Sequence, residues 1–190
     1  MAIGRTEQSL TESKRALELD PLSPSPTNLH LGWHYLYARQ YDQAIEQLRK
    51  TLKMDPNLVL AHSFLAQGYE QKAMYQEAVA EFQKIRSLSG GDPATTAALG
   101  EAFALSGIRG YWQKSLELEN ERSKRQYVSP ASMAFIYARL GEKDLALEWL
   151  QKACEEPSLQ VIHLKVEPVF DSLRPDPRFQ ALLRRMGLPP

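Results

Sequence analysis

Apolar residues in this chain fall at helical spacing in short blocks, and prolines, glycines and acidic caps cut the blocks apart. Leu31, Tyr35 and Ala38 share one stripe, while Phe179, Leu182, Leu183 and Met186 share another. Asp92-Pro93 and Ser129-Pro130 each read as an N-cap followed by proline at the first helical position, where its missing N–H is harmless. These signals predict helices over 5–18, 27–39, 42–54, 59–72, 76–88, 93–106, 111–124, 129–140 and 144–156. Residues 22–26 read as a stiff proline linker, and Gly90-Gly91 as a long turn. Pro168 to Leu173 predicts a short helical turn, and Asp176-Pro177 opens a last helix. The fold class is all-α.

The blocks repeat. Leu31, Gly32, Tyr35, Tyr41, Ala44 and Leu48 reappear 34 residues later as Leu65, Ala66, Tyr69, Tyr75, Ala78 and Phe82. A further unit from Ser129 carries Ala134, Tyr137, Gly141, Ala146, Leu150 and Ala153 in the same order, and a weaker one holds Gly100, Phe103, Gly107 and Leu116. Two antiparallel helices approach closely only where contact positions are small. Gly32, Ala66, Gly100 and Ala134 supply that position on first helices, and Ala44, Ala78 and Ala146 on second helices. One pair cannot bury its whole apolar surface, so pairs stack. The third unit departs: Trp112 stands at the second-helix small position, beside Tyr111. A tryptophan there requires the helix from about 111 to shift. Two readings stand for it, a drifted repeat or a bend with a second contact patch.

This pattern over residues 27–156 resembles the tetratricopeptide repeat, with Asp20-Pro21 and Asp55-Pro56 where that family ends its second helix. The resemblance implies a right-handed superhelix of antiparallel helix pairs with a C-terminal capping helix. Residues 1–21 then read as the second helix of a truncated repeat, 22–157 as about four helix pairs and 158–190 as the capping segment. Half a repeat cannot bury its apolar face alone. It reads as a piece of a longer protein or as a natural cap. The last thirty residues also resemble the tail of such repeats in bacterial multidomain regulators with an upstream kinase, nucleotide cyclase or winged-helix domain.

Composition narrows the function. Lys+Arg and Asp+Glu are both 23, so the basic excess of a nucleic-acid binder is missing. One cysteine, Cys154, permits no intrachain disulfide. The first twenty residues lack the apolar core of a signal peptide, and no stretch approaches a membrane span. A soluble, cytoplasmic chain is expected.

Chemistry is sparse. The phosphate-loop, GxSxG, HExxH and paired CxxC motifs are missing from the sequence. His30 and His34 share a helix face as zinc pairs do, yet a third ligand of suitable spacing is not evident. Cys154, with no nearby histidine, reads as a packed residue. The expectation is a scaffold that is not an enzyme and uses neither cofactor nor metal. Its partner would be another protein or an upstream domain of the same parent, with self-association through the N-terminal half repeat as an alternative. An RNA-binding helical repeat is a further alternative, against which the neutral composition counts, so nucleic acid and membrane are not expected partners.

In the family this chain resembles, first helices line a concave groove. That register selects Leu29, Trp33 and Tyr37, then Ser63, Gln67, Glu70 and Gln71, then Glu101 and Leu105, then Phe135 and Arg139. The first of these helices is unusually apolar. Its second stripe, Leu29, Trp33, Leu36 and Tyr37, reads either as exposed binding anchors or as packing against helix 5–18, the linker or an upstream helix. Burying one such ring removes roughly 150–250 Å² from water, worth about 4–6 kcal/mol gross. The carboxylate clamp of chaperone-binding members is absent, since the matching positions hold Leu29, Trp33, Phe64, Ala94 and Ala98.

Overall fold

The computed structural model describes residues 6–19, 25–156 and 163–188. The expected Asp20-Pro21 turn, the linker over 22–24 and the start of the capping segment lie outside the described residues. All regular structure among the described residues is helical. The elements are α1 (Thr6–Leu19), α2 (Ser25–Tyr37), α3 (Tyr41–Met54), α4 (Val59–Gln71), α5 (Tyr75–Leu88), α6 (Pro93–Ser123), α7 (Pro130–Leu140), α8 (Lys143–Glu155), a 3₁₀ turn (Pro168–Leu173) and α9 (Pro177–Arg185). Helix α2 starts at Ser25, so the end of the expected linker is already helical. The chain divides into two compact units between Ala98 and Leu99, inside α6.

In the first unit α2 pairs with α3 and α4 with α5, while α1 packs on α2 and α3 on α4. The small positions do the work foreseen for them. Ala44, Ala66 and Ala78 are wholly buried, and a Cβ on Gly32 would lie 2.7 Å from Leu48 Cγ. Close approach also traps polar groups, which must pair there. Gln47 Nε2 donates to Asn28 Oδ1 at 2.6 Å in the α2/α3 interface. His62 of α4 meets the Glu81 carboxylate of α5 through Nδ1, and its Nε2 lies 3.0 Å from the Pro56 carbonyl.

The turn within each pair is built the same way. The N–H groups of Gln40, Met74 and Glu142 donate to the carbonyls of Tyr35, Tyr69 and Tyr137, at 3.0, 2.9 and 3.0 Å. Such a closure requires a left-handed residue just before the donor. Arg39 (φ 62°), Ala73 (φ 55°) and Gly141 (φ 80°) supply it, and Gly107 (φ 62°, ψ −157°) holds the same 34-residue register with a backbone that only glycine adopts readily. Only two of the four are glycine, so the first two turns carry backbone strain that the later two avoid.

In the second unit α7 pairs with α8 through Ala134 and Ala146, both fully buried. The C-terminal segment closes this pair. Phe170, Leu173, Phe179, Leu182 and Leu183 share one core with Leu147, Leu150 and Leu164. The Arg174 guanidinium fastens the segment by donating to the carbonyls of Lys165 and Glu167 and to Asp171. Asp176 caps α9 by accepting from the Arg178 N–H at 2.8 Å.

Helix α6 is two arms. Asp92 caps the first, accepting from the N–H groups of Ala94 and Thr95 at 3.3 and 2.9 Å. The helix breaks at Ser106 (φ −138°, ψ 17°) and Gly107 (φ 62°, ψ −157°). A Cβ on Gly110 would come within 2.5 Å of the Ala102 carbonyl oxygen, although eight residues of straight helix would separate them by about 12 Å. The chain therefore doubles back on itself, and the second arm starts about three residues before the expected 111. A small residue of this pair is Gly110, two positions before Trp112. Trp112 is buried against Tyr111, with ring centroids 5.0 Å apart, and lies under the Arg139 guanidinium of α7 at 4.5 Å.

Candidate partner-binding faces

In the first unit, α2 and α4 place a cluster of rings side by side. Trp33 stacks on Phe64 with centroids 5.5 Å apart and planes 28° from parallel. His30, His34 and Tyr37 meet Trp33 edge-on at 5.3, 5.5 and 6.0 Å, and Tyr37 meets Phe64 edge-on at 6.3 Å. Helix α1 anchors the cluster from behind. Ser13 Oγ lies 2.6 Å from His34 Nδ1, and Lys14 Nζ sits 5.4 Å over the Tyr35 ring.

Burial separates the expected groove residues. Leu29 and Tyr37 are buried, at 6% and 4% exposure, and so is Leu36 at 0%. The expectation that Leu29 and Tyr37 face a partner is corrected. Helix α2 packs against α1, α3 and α4, and three neighbours absorb most of its apolar excess. Trp33 keeps a half-buried face, as does Phe64. Phe64 drew notice in the sequence only as a residue unsuited to a carboxylate clamp. Its role beside Trp33 follows from a 31-residue offset between neighbouring first helices, which the 34-residue register does not display.

Polar groups adjoin the rings along α4. Ser63 is half-buried and donates to the Val59 carbonyl at 2.9 Å. Gln67 is half-buried, with Oε1 shielded from water and without a donor. Glu70 is half-buried and Gln71 is exposed.

In the second unit, Phe135 lies 4.8 Å from Phe170, and Arg139 sits over both Trp112 and Phe135, at 4.5 and 5.6 Å. Glu101 and Leu105 stand on the first arm of α6. Both are exposed, Leu105 at 85%. The structure thus joins Phe135 to Arg139 and leaves Leu105 as a bare apolar side chain.

The remaining candidates fall to packing. His30 and His34 stack with ring centroids 6.5 Å apart, and no group of three metal-ligating side chains occurs among the described residues. Cys154 Sγ lies 3.3 Å from Met186 Sδ, and burial pushes its thiol pKa up, away from the reactive thiolate.

Comparison with known families agrees with this architecture. One tetratricopeptide repeat model matches residues 29–93, and a second matches residues 131–156. These two segments carry tetratricopeptide repeats. The matches span α2 to α5 and then α7 with α8, and the tetratricopeptide segments are a protein–protein interaction fold. Between the two matches lies α6, where Trp112 and Gly110 break the small-residue register. No curated protein matches the chain. No described helix is long and apolar enough to cross a membrane.

Proposed function

We propose that this chain docks a segment of another protein on the face shared by α2 and α4, with the half-open Trp33–Phe64 pair as its anchor. The observation that carries this reading is the pair itself. Two large rings lie face to face on the first helices of successive repeats, part of their surface left to solvent. Rigid stacked aromatics lose little entropy on binding and are frequent hot spots. Ser63, Gln67, Glu70 and Gln71 supply hydrogen-bonding groups along the same helix, suited to the main chain of an extended peptide. In the second unit Phe135 and Arg139 offer a smaller aromatic and cationic contact. Binding is non-covalent docking, with neither cofactor nor metal in the scheme. Its effect would be to recruit or position the partner.

The test is a pull-down from source-cell lysate. Wild type is compared with Trp33→Ala/Phe64→Ala and with Gln71→Arg, all matched for folding by circular dichroism. A protein retained by wild type and lost by both variants supports the face. Retention of the same proteins by all three would show that the rings only pack.

A further inference from the structure

The second unit carries a different surface, on α8 and α9, independent of the function proposed for α2 and α4. On α8, Asp144, Glu148 and Gln151 follow one another at intervals of four and three residues. On α9, Arg178, Ala181, Leu182 and Arg185 do the same within one stripe. Residues so spaced share a helix face, here over two turns or about 10 Å. A cleft of about 480 Å³ runs between the two stripes. Leu147 and Leu182, both buried, form its floor with the half-buried Ala181, and Leu145 stands 40% exposed at its edge.

Its two edges carry opposite charge. The α8 edge is acidic and the α9 edge is basic. At one end they close on each other, where Arg178 reaches across to Asp144 at 2.7 Å while also held by Asp176 at 2.8 Å. Beyond that bridge the cleft stays open. Among the described residues Glu148 is engaged only by Lys152, one turn along its own helix at 2.8 Å, an exposed and readily exchanged pair. Arg185 is exposed and makes no ion pair among the described residues.

We propose that this cleft docks an amphipathic helix of a partner protein. Its apolar side chains would enter between α8 and α9, its basic residues would lie along Glu148 and its acidic residues along Arg185. Three features select a helix of that composition. Two helix faces side by side over an apolar floor form the groove into which the ridge of a third helix packs. The volume suits a few large side chains. The edges oppose each other in sign, so a polyanion such as nucleic acid or an acidic membrane surface meets Asp144 and Glu148 as well as the arginines.

The experiment uses the full chain and three labelled helical peptides with one leucine stripe. One peptide has a glutamate flank and a lysine flank, the second has glutamate on both and the third lysine on both. Fluorescence anisotropy reads the affinities. The mixed peptide is expected to bind about tenfold more tightly than either other. Arg185→Glu moves the preference to the all-lysine peptide, and Glu148→Lys moves it to the all-glutamate peptide. Both residues are exposed, so these variants keep the fold, which circular dichroism checks. Ala181→Trp fills the cleft and abolishes peptide binding while leaving any protein captured through Trp33 and Phe64 unaffected. Equal affinity for all three peptides overturns the proposal, as does a preference unchanged by the charge reversals. Concentration-dependent self-association in sedimentation, lost in Arg185→Glu, assigns the cleft to a second copy of this chain and likewise overturns it.

Discussion

The α2/α3 pair and the hairpin inside α6 both bring two antiparallel helices into close contact, and they do it with different residues. In the first, Gly32 yields to the Leu48 side chain, and Ala44 fills the partner position on the second helix. In the second, Gly110 yields to the backbone itself, the Ala102 carbonyl. The position equivalent to Ala44 holds Trp112, which is buried against Tyr111 and Arg139. The difference teaches that the repeat requires a close approach somewhere along each pair, while its place along the helix can move. Moving it by two residues frees a site for a large ring, and that ring then bridges to α7.

The strongest way to break this comparison is Trp112→Ala. If position 112 were another Ala44, the change would be neutral or stabilising. With the ring in the core, a loss of about 3–5 kcal/mol is expected in urea unfolding. The two glycines sharpen the contrast. Gly110→Ala is expected to cost about 3 kcal/mol, since a carbonyl in a helix has nowhere to go. Gly32→Ala is expected to cost about 1–2 kcal/mol, because the colliding Leu48 side chain gives way in part. A reversed order in denaturant midpoints would mean that the α6 hairpin is the looser contact.

The smallest effects test the turns. At Gly141 a Cβ would meet nothing within 4 Å, so Gly141→Ala probes the left-handed backbone alone and is expected to lose about 1 kcal/mol. Ala73→Gly is expected to gain about 0.5 kcal/mol by relieving the same conformation, offset by the freedom glycine has when unfolded. A null result at both sites, read as melting temperature, would show that the turn conformation is set by the flanking helices without strain.

Much of the fold was legible because helices advertise themselves locally. Asp92-Pro93 marked the start of α6, and the tyrosines 34 residues apart marked the repeat. Boundaries of most helices fell within a residue or two of expectation. Legibility stopped where an outcome depended on neighbours. Leu29 and Trp33 lie on one stripe of one helix, and the sequence treats them alike. Leu29 is 6% exposed, while Trp33 keeps a half-buried face beside Phe64. Ser129 shows the same limit on a smaller scale. It sits at the N-cap of α7 with extended backbone angles, yet its side chain makes no capping bond.

What the sequence determined by itself was therefore the helical period, the 34-residue repeat, and which positions must be small. All three are conditions on the chain that hold whatever packs around it. The tertiary structure decided which rings stay partly open, which residue of α6 takes the close approach, and that α8 and α9 leave a cleft with edges of opposite charge. Those properties depend on how closely a neighbouring helix approaches, and side chains far apart in sequence set that distance.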